Sequence, residues 1–270
     1  MYFKKFDDLT FADHYMFEKV LQNKEICQEL LERLLKIKID HIEYPEIEKT
    51  ISPYYETKGV RLDVYVKDSD KVFDIELQNA SDVDIHLRTR YYQSMLDTDN
   101  LLKGEHYSNL PESFIIFICH YDPIGANLPT YTFENRCTEN LEISLKDKSI
   151  KKFYNATAYN QEKDMEISAF LEYICNQKTV DDFTSKIDSF VQKIKQQEVN
   201  RKEYSSVNIH DQDNFLRGKK EGINEGIQQG EYRKAIETAK NLLKNNIPFE
   251  IIVNSTGLSE EVVIQLKTQT

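Results

Sequence analysis

A chain of 270 residues, 40% hydrophobic and 30% charged, is long enough to bury a full core and to carry an appendage beside one large domain. It contains no apolar run near the roughly 18 residues of a membrane span, and its start, MYFKKFDDLTF, lacks the apolar core of a signal peptide. The net charge of −11 excludes a uniformly basic nucleic-acid-coating protein, although the stretches 146–152, 186–202 and 217–220 are each locally positive.

Cys27, Cys119, Cys137 and Cys175 are scattered with no CxxC spacing. They are expected to be reduced residues of a cytoplasmic protein, without a disulfide or zinc role.

In chain order, residues 11–36 carry Met16, Val20, Cys27, Leu30, Leu31, Leu34 and Leu35 near one stripe, which predicts helix with Asn23 as punctuation. Asp13 and Glu18 fall at its start, where a helix N-terminus favours carboxylates. Residues 37–51 alternate loosely and predict a first strand ending at Ser52-Pro53.

The stretch VRLDVYVKDSDKVFDIELQN, residues 60–79, then predicts a hairpin. Leu62, Val64 and Val66 share one face of its first strand, and Arg61, Asp63 and Tyr65 the other. Phe73, Ile75 and Leu77 oppose Asp74, Glu76 and Gln78 in its second. Paired around Asp68–Lys71, the strands bring Asp63 toward Glu76. Acidic residues on a hairpin are often simply solvated, but strands this rich in Val, Ile and Phe suggest a central position. There, two carboxylates repel unless a cation neutralises them, and Mg2+ suits two carboxylates with room for water.

Residues 82–103 predict a helix capped by Ser81 or Asp82, with Arg88, Arg90 and Gln93 on its polar side or edge. Arg suits bidentate phosphate contact; for Arg88, pairing with Asp84 four positions away is the alternative. FIIFICH, residues 114–120, predicts a strand buried on both faces, and its position after a helix predicts a βαβ crossover and a mixed sheet. His120 at its end is expected to be structural.

Strands follow at 131–136 and 149–154, and helices at 167–176 and 180–201. Gly218, Gly222, Gly226 and Gly230 recur every fourth residue, which suits a self-associating or hinge segment, or a flexible tether. Three small helices are predicted at 232–244, 249–254 and 259–267.

The spacing D-x12-E-x-Q of Asp63, Glu76 and Gln78 resembles the PD-(D/E)xK nuclease signature, with Gln78 in place of the final Lys. The words RLDVYV, DIELQ, RTRYYQSMLD, DHYMFEKVLQNKEICQELLERLL and YTFENRC resemble, in order, the recombination-promoting nuclease and transposase family of that superfamily. The resemblance implies an α/β fold: a restriction-endonuclease-like core, a mixed central sheet flanked by helices, with an α-helical C-terminal extension. It implies a nuclease-like domain over 1–180, a helical connector over 181–216, and a Gly-repeat helix with a small helical tail over 217–270.

It further implies a Mg2+- or Mn2+-dependent endodeoxyribonuclease that hydrolyses DNA phosphodiesters and promotes recombination. Asp63, Glu76 and Gln78 would be catalytic, Asp63, Glu76 and Asp13 would hold metal, and Arg88, Arg90 and Gln93 would bind substrate. DNA is the expected partner, with no membrane, and a homo-oligomer through residues 218–230 is an expectation from the glycine repeat. The rivals are an inactive DNA-binding or regulatory module, and a nuclease acting on RNA.

Overall fold

The structure, a computed structural model, describes residues 4–43, 45–52, 58–81 and 83–268, without the side chains of 207–217 and 268. Pro53, Asp82 and the side chain of Arg217, which the sequence reading used, lie outside the described residues.

Six strands form one sheet: β1 (Glu46–Ile51), β2 (Val60–Asp68), β3 (Lys71–Gln78), β4 (Glu112–Cys119), β5 (Thr130–Phe133) and β6 (Ser149–Asn155). Their spatial order is β1-β2-β3-β4-β6-β5. β1, β2 and β3 run antiparallel, β4 lies parallel to β3 and to β6, and β5 closes the far edge antiparallel to β6.

The mixed sheet has a direct cause in the sequence. The short turn Ser69-Asp70 permits an antiparallel hairpin, whereas β4 follows α3 (Ile85–Asn100) and returns parallel, as a helical crossover requires. β4 is buried from Ser113 to Cys119, as its apolar run demands.

Helices cover both faces. On one, α1 (His14–Leu21), α2 (Lys24–Leu35), α4 (Met165–Asn176) and α5 (Asp182–Gln196) pack with Val64, Val66, Phe73, Ile75, Leu77, Ile116 and Ile118 into the larger core. On the other, α3 packs Ile85, Met95 and Leu96 against Tyr65, Ile115, Phe117 and Phe153. Asn23 divides the first helical stretch, because its Oδ1 caps α2 by accepting from the Ile26 N–H at 3.1 Å.

Several expectations are corrected. β1 begins only at Glu46, so residues 37–43 are not strand; Ile39 and Ile42 are nonetheless buried in the larger core. α3 starts at Ile85 after Asp84, which makes no side-chain cap bond, so Ser81 does not cap it. Leu62 packs with the α3-side core rather than with Val64 and Val66, just past the last paired position of β2 and β3, Val64–Ile75.

The chain divides into two compact units, residues 1–204 and 205–270. α5, expected in a connector, belongs to the larger core through Phe183, Ile187, Val191 and Ile194. α6 spans Glu198–Lys244, so the helix expected to begin at Tyr232 is the end of a longer one, and the glycine repeat lies inside it. Among the described residues, no atom beyond that helix's own nearby backbone lies within 4 Å of where a Cβ on any of the four glycines would sit, so no described packing offsets their cost of about 1 kcal/mol each.

In the second unit, α7 (Phe249–Thr256) and α8 (Glu260–Thr268) turn about Gly257, whose φ of +67° suits a residue without Cβ. They bury Ile252, Leu258, Val263 and Leu266 against Ala239.

Candidate active site

The ladder between β2 and β3 ends at Val64–Ile75, and the next position on each strand is a carboxylate, Asp63 and Glu76. These side chains take over the lost backbone bonds. Glu76 Oε1 accepts from the Asp63 N–H at 2.9 Å, and Asp63 Oδ2 accepts from the Leu77 N–H at 3.1 Å. Each acid is therefore locked to the opposite strand, and the two are brought together where the strands part. Glu76 is 2% exposed. Burial first, and the Asp63 charge second, hold its carboxyl above the usual range.

Asp74, two residues earlier on the same face of β3, is fully buried, and its oxygens accept no hydrogen bond among the described residues. Burial, then the charges of Glu76 and Asp63, push it well above the ordinary carboxylate range. In its neutral form it can donate to Glu76.

A cleft of about 1120 Å3 opens over this pair. Among the described residues, Lys58, Arg61, Arg88 and Arg90 line it together with Asp63, Glu76 and Asp84, so four cationic side chains meet three carboxyls there. That local balance differs from the charge of the whole chain and resolves the objection its acidity raises. Arg88 reaches down from the first turn of α3. Its Nη1 donates to Gln78 Oε1 at 3.2 Å and its Nη2 to Glu76 Oε2 at 3.1 Å. Its guanidinium lies 5.2 Å from the Phe117 ring centroid and 5.3 Å from that of Tyr92. At the rim, the Tyr91 hydroxyl donates to the Lys58 carbonyl, tying α3 to the start of β2.

α1 supplies the remaining wall. The Asn79 side-chain amide donates to the Ala12 carbonyl at 2.7 Å, pinning the start of α1 to the end of β3. His14 Nδ1 then lies 3.5 Å from Asp63 Oδ2, and the Asp63 carboxylate raises the His14 pKa. Glu18, one helical turn on, is pushed up to about 7 by burial first, then by the charges of Glu48 and Asp63.

The residues singled out from sequence thus separate. Asp63, Glu76, Gln78, Arg88 and Arg90 line one cleft. Asp13 does not: its carboxylate accepts from the Thr10 N–H and hydroxyl at 2.8 and 3.0 Å and pairs with Lys4 at 2.7 Å. Gln93 faces the other flank of α3, where its amide donates to Asp97 Oδ1 at 2.9 Å and Ser113 Oγ at 2.8 Å. Lys49 pairs with Asp99 at 2.9 Å. His120 is outside the cleft, and burial lowers its pKa. The sequence reading missed His14, although it follows Asp13 directly and sits a helical turn before Glu18.

Among the described residues, no three His, Cys, Asp or Glu side chains converge as a preformed metal cage. The donor set still fits a hard cation. Asp63 and Glu76 present carboxyl oxygens held together against their own repulsion, and Mg2+ is commonly held by one or two carboxylates, with waters and substrate phosphate completing its shell.

The word order around both carboxylates and α3 resembles one family, and a stretch of just under half the chain matches a family model. Residues 6–137 match the PD-(D/E)XK nuclease family transposase model. The matched stretch of this nuclease family runs from before α1 to just past β5, so it contains Asp63, Glu76, Gln78 and the whole of α3. The six-stranded mixed sheet with its flanking helices is the restriction-endonuclease-like fold, followed by C-terminal helices. The coarse functional class is nuclease-like, and nucleases of this kind generally use divalent metal ions. No curated protein and no solved structure matches the chain. Among the described residues, no helix is long and apolar enough to cross a membrane.

Proposed function

We propose that the protein is a divalent-metal-dependent endonuclease that hydrolyses DNA phosphodiester bonds. The observation that carries this reading is the interlocked Asp63–Glu76 pair where β2 and β3 part, Glu76 buried and Asp63 half-buried, opening into a cleft whose described lining includes four cationic side chains.

Asp63 and Glu76 would hold Mg2+ or Mn2+, with Glu18 adding negative charge from α1. A cation bound there would polarise a phosphoryl oxygen and lower the pKa of a bound water. Lys58, Arg61 and Arg90 hold the phosphate backbone along the rim. Gln78, a neutral amide, orients a hydrogen-bonding partner and cannot act as a base. In the hydrolysis, water oxygen bonds to phosphorus and one P–O ester bond breaks. One strand end keeps the phosphate, and the other leaves as a hydroxyl carrying the water's second proton. Recombination would be a downstream use of the cut ends.

The Arg88–Glu76 ion pair favours one rival, a module whose own cation keeps the carboxylate neutralised and which binds nucleic acid without cutting.

Nicking of supercoiled DNA in Mg2+ or Mn2+ separates the two. Cutting by the wild-type chain that requires the metal and falls at least ~1000-fold in both Asp63→Ala and Glu76→Ala is the expected result. Cutting that survives both substitutions would remove the site. DNA binding without cutting, and with no heat of metal binding, would give the rival. Parallel assays on RNA fix the substrate sugar.

A further inference from the structure

Position 78 carries a neutral amide, yet the cleft floor is not without a cation. Arg88 touches both Gln78 and Glu76 through separate nitrogens, at 3.2 and 3.1 Å. Its side chain is 28% exposed, so the same guanidinium that grips the floor also faces the cleft. We propose, resting on the nuclease reading, that Arg88 is the catalytic cation of this cleft. It delivers from α3 the positive charge that a Lys at position 78 would deliver from β3, and Gln78 aims it.

Three features carry the assignment. First, Gln78 Oε1 accepts from Arg88, so the residue that departs from the motif is the one that fixes the guanidinium. Second, Tyr92, one turn further along α3, and Phe117 on β4 present ring faces to the guanidinium, which suits a planar, weakly hydrated cation and not an ammonium. Third, Glu76 Oε2 already has a cation on it. Arg88 therefore competes with a divalent ion for that oxygen. Once displaced from Glu76, it keeps Gln78 as its anchor and can turn that nitrogen to a phosphoryl oxygen. Arginine holds its proton at any working pH, so the role is charge stabilisation and not proton transfer.

The competition yields a signature that a packing role does not share. In Arg88→Ala, DNA cutting is expected to fall about 100-fold, as for loss of one transition-state donor. Mg2+ or Mn2+ binding, measured by calorimetry without DNA, is expected to tighten several-fold, because a competing positive charge has gone. Gln78→Lys placed in the Arg88→Ala chain should restore at least about tenfold of the cutting and return metal affinity toward wild type.

Thermal melting of each full-length variant checks its fold. Unchanged cutting in Arg88→Ala would overturn the proposal, as would cutting and metal affinity falling together without rescue by Gln78→Lys. If wild-type cutting depends on Asp63 while Arg88→Ala is neutral, only this inference fails. If the wild type never cuts, the inference fails with the nuclease reading.

Discussion

α3 divides one face of the sheet into two flanks of opposite character. Toward β2 and β3 lies the open cleft, where carboxylates are held together and cations crowd the rim. Toward β6 and β5 lies a smaller pocket of about 340 Å3, walled by Phe133, Phe153 and Ile124, with Gln93, Asp97 and Lys151 among its polar members. Arg90 and Ser94 stand on the crest and line both. On the second flank Gln93 bridges Asp97 and Ser113 through its amide nitrogen, while its Oε1 accepts no hydrogen bond among the described residues, and burial raises the Asp97 pKa and lowers that of Lys151. On the first flank the crowding is of like charges, since Glu76, Asp63 and Asp74 are neighbouring carboxyls. The difference teaches that the crowding of like-charged carboxyls is concentrated on one side of a single helix. The side that bears it is the side with chemistry to do.

The largest effect expected from this asymmetry is on stability against pH. Glu76, Asp74, Glu18 and His14 all have folded-state pKa values raised above their ordinary values. A raised pKa means the folded chain holds the proton more tightly than the unfolded chain. The stabilisation is then full below the unfolded pKa and is lost as pH rises through the folded one. For the carboxyls that window opens near pH 4.5, and for Glu18 it closes near 7. The metal-free protein should therefore melt higher at pH 5.5 than at pH 8, and a divalent cation should narrow the gap from the alkaline side.

Displacing one titration by a single pH unit is worth about 1.4 kcal/mol, so a difference of several degrees in Tm is expected. The negative net charge works in the same direction, which makes Glu76→Gln the decisive control. It should flatten the profile by deleting one titrating group and relieving Asp74. A wild-type Tm that climbs from pH 5.5 to 8 in the presence of chelator would contradict the asymmetry.

A smaller effect separates the two acids of the first helix. Glu18 feels the Asp63 charge, whereas Asp13 is spent on Thr10 and Lys4. Glu18→Gln should weaken metal binding and cutting by about tenfold, the scale for groups that support a metal site from one step away. Asp13→Asn should leave cutting within about twofold and show instead as a loss of local stability. Equal catalytic losses in both variants would mean that the whole start of α1 feeds the cleft.

Much of this was legible in the sequence because it depends on period. Alternation in 60–78 brought Asp63 toward Glu76, although Leu62 breaks the period just before Asp63, the unbroken apolar run of β4 marked a doubly covered strand, and Asn23 marked a helix start. What escaped reading depends on phase and on competition. Asp13 and Glu18 are both acids near a helix start, and only the turn at Thr10 decides that the first is held by Thr10 and Lys4 while the second feels the Asp63 charge. The apolar residues of 37–43 read as strand, but Ile39 and Ile42 pack into the core without a ladder partner, because burial alone satisfies the same pattern. The glycine repeat read as a weak helix separate from the one predicted at 232–244, yet a single helix runs through both, since a glycine lowers helix propensity without forbidding the conformation. Arg88 read more readily as a surface partner of Asp84; its reach to Gln78 exists only because β3 passes beneath α3.

The smallest effect tests the division at its sharpest point. Arg88 and Gln93 belong to one six-residue word, but five helical positions turn about 140° beyond a full turn, enough to carry Gln93 across the crest of α3. Its amide orientation is fixed by chemistry, since reversing it would set the carbonyl oxygen against the Asp97 carboxylate. Gln93→Ala should therefore cost the two hydrogen bonds to Asp97 and Ser113, about 1–2 kcal/mol of stability, and leave DNA cutting within about threefold of wild type below the melting range. Arg88→Ala, five residues earlier, should show the reverse balance. If Gln93→Ala instead abolishes cutting with its fold intact, the second flank takes part in holding the substrate, and α3 is a ridge that nucleic acid straddles and not a wall that confines it.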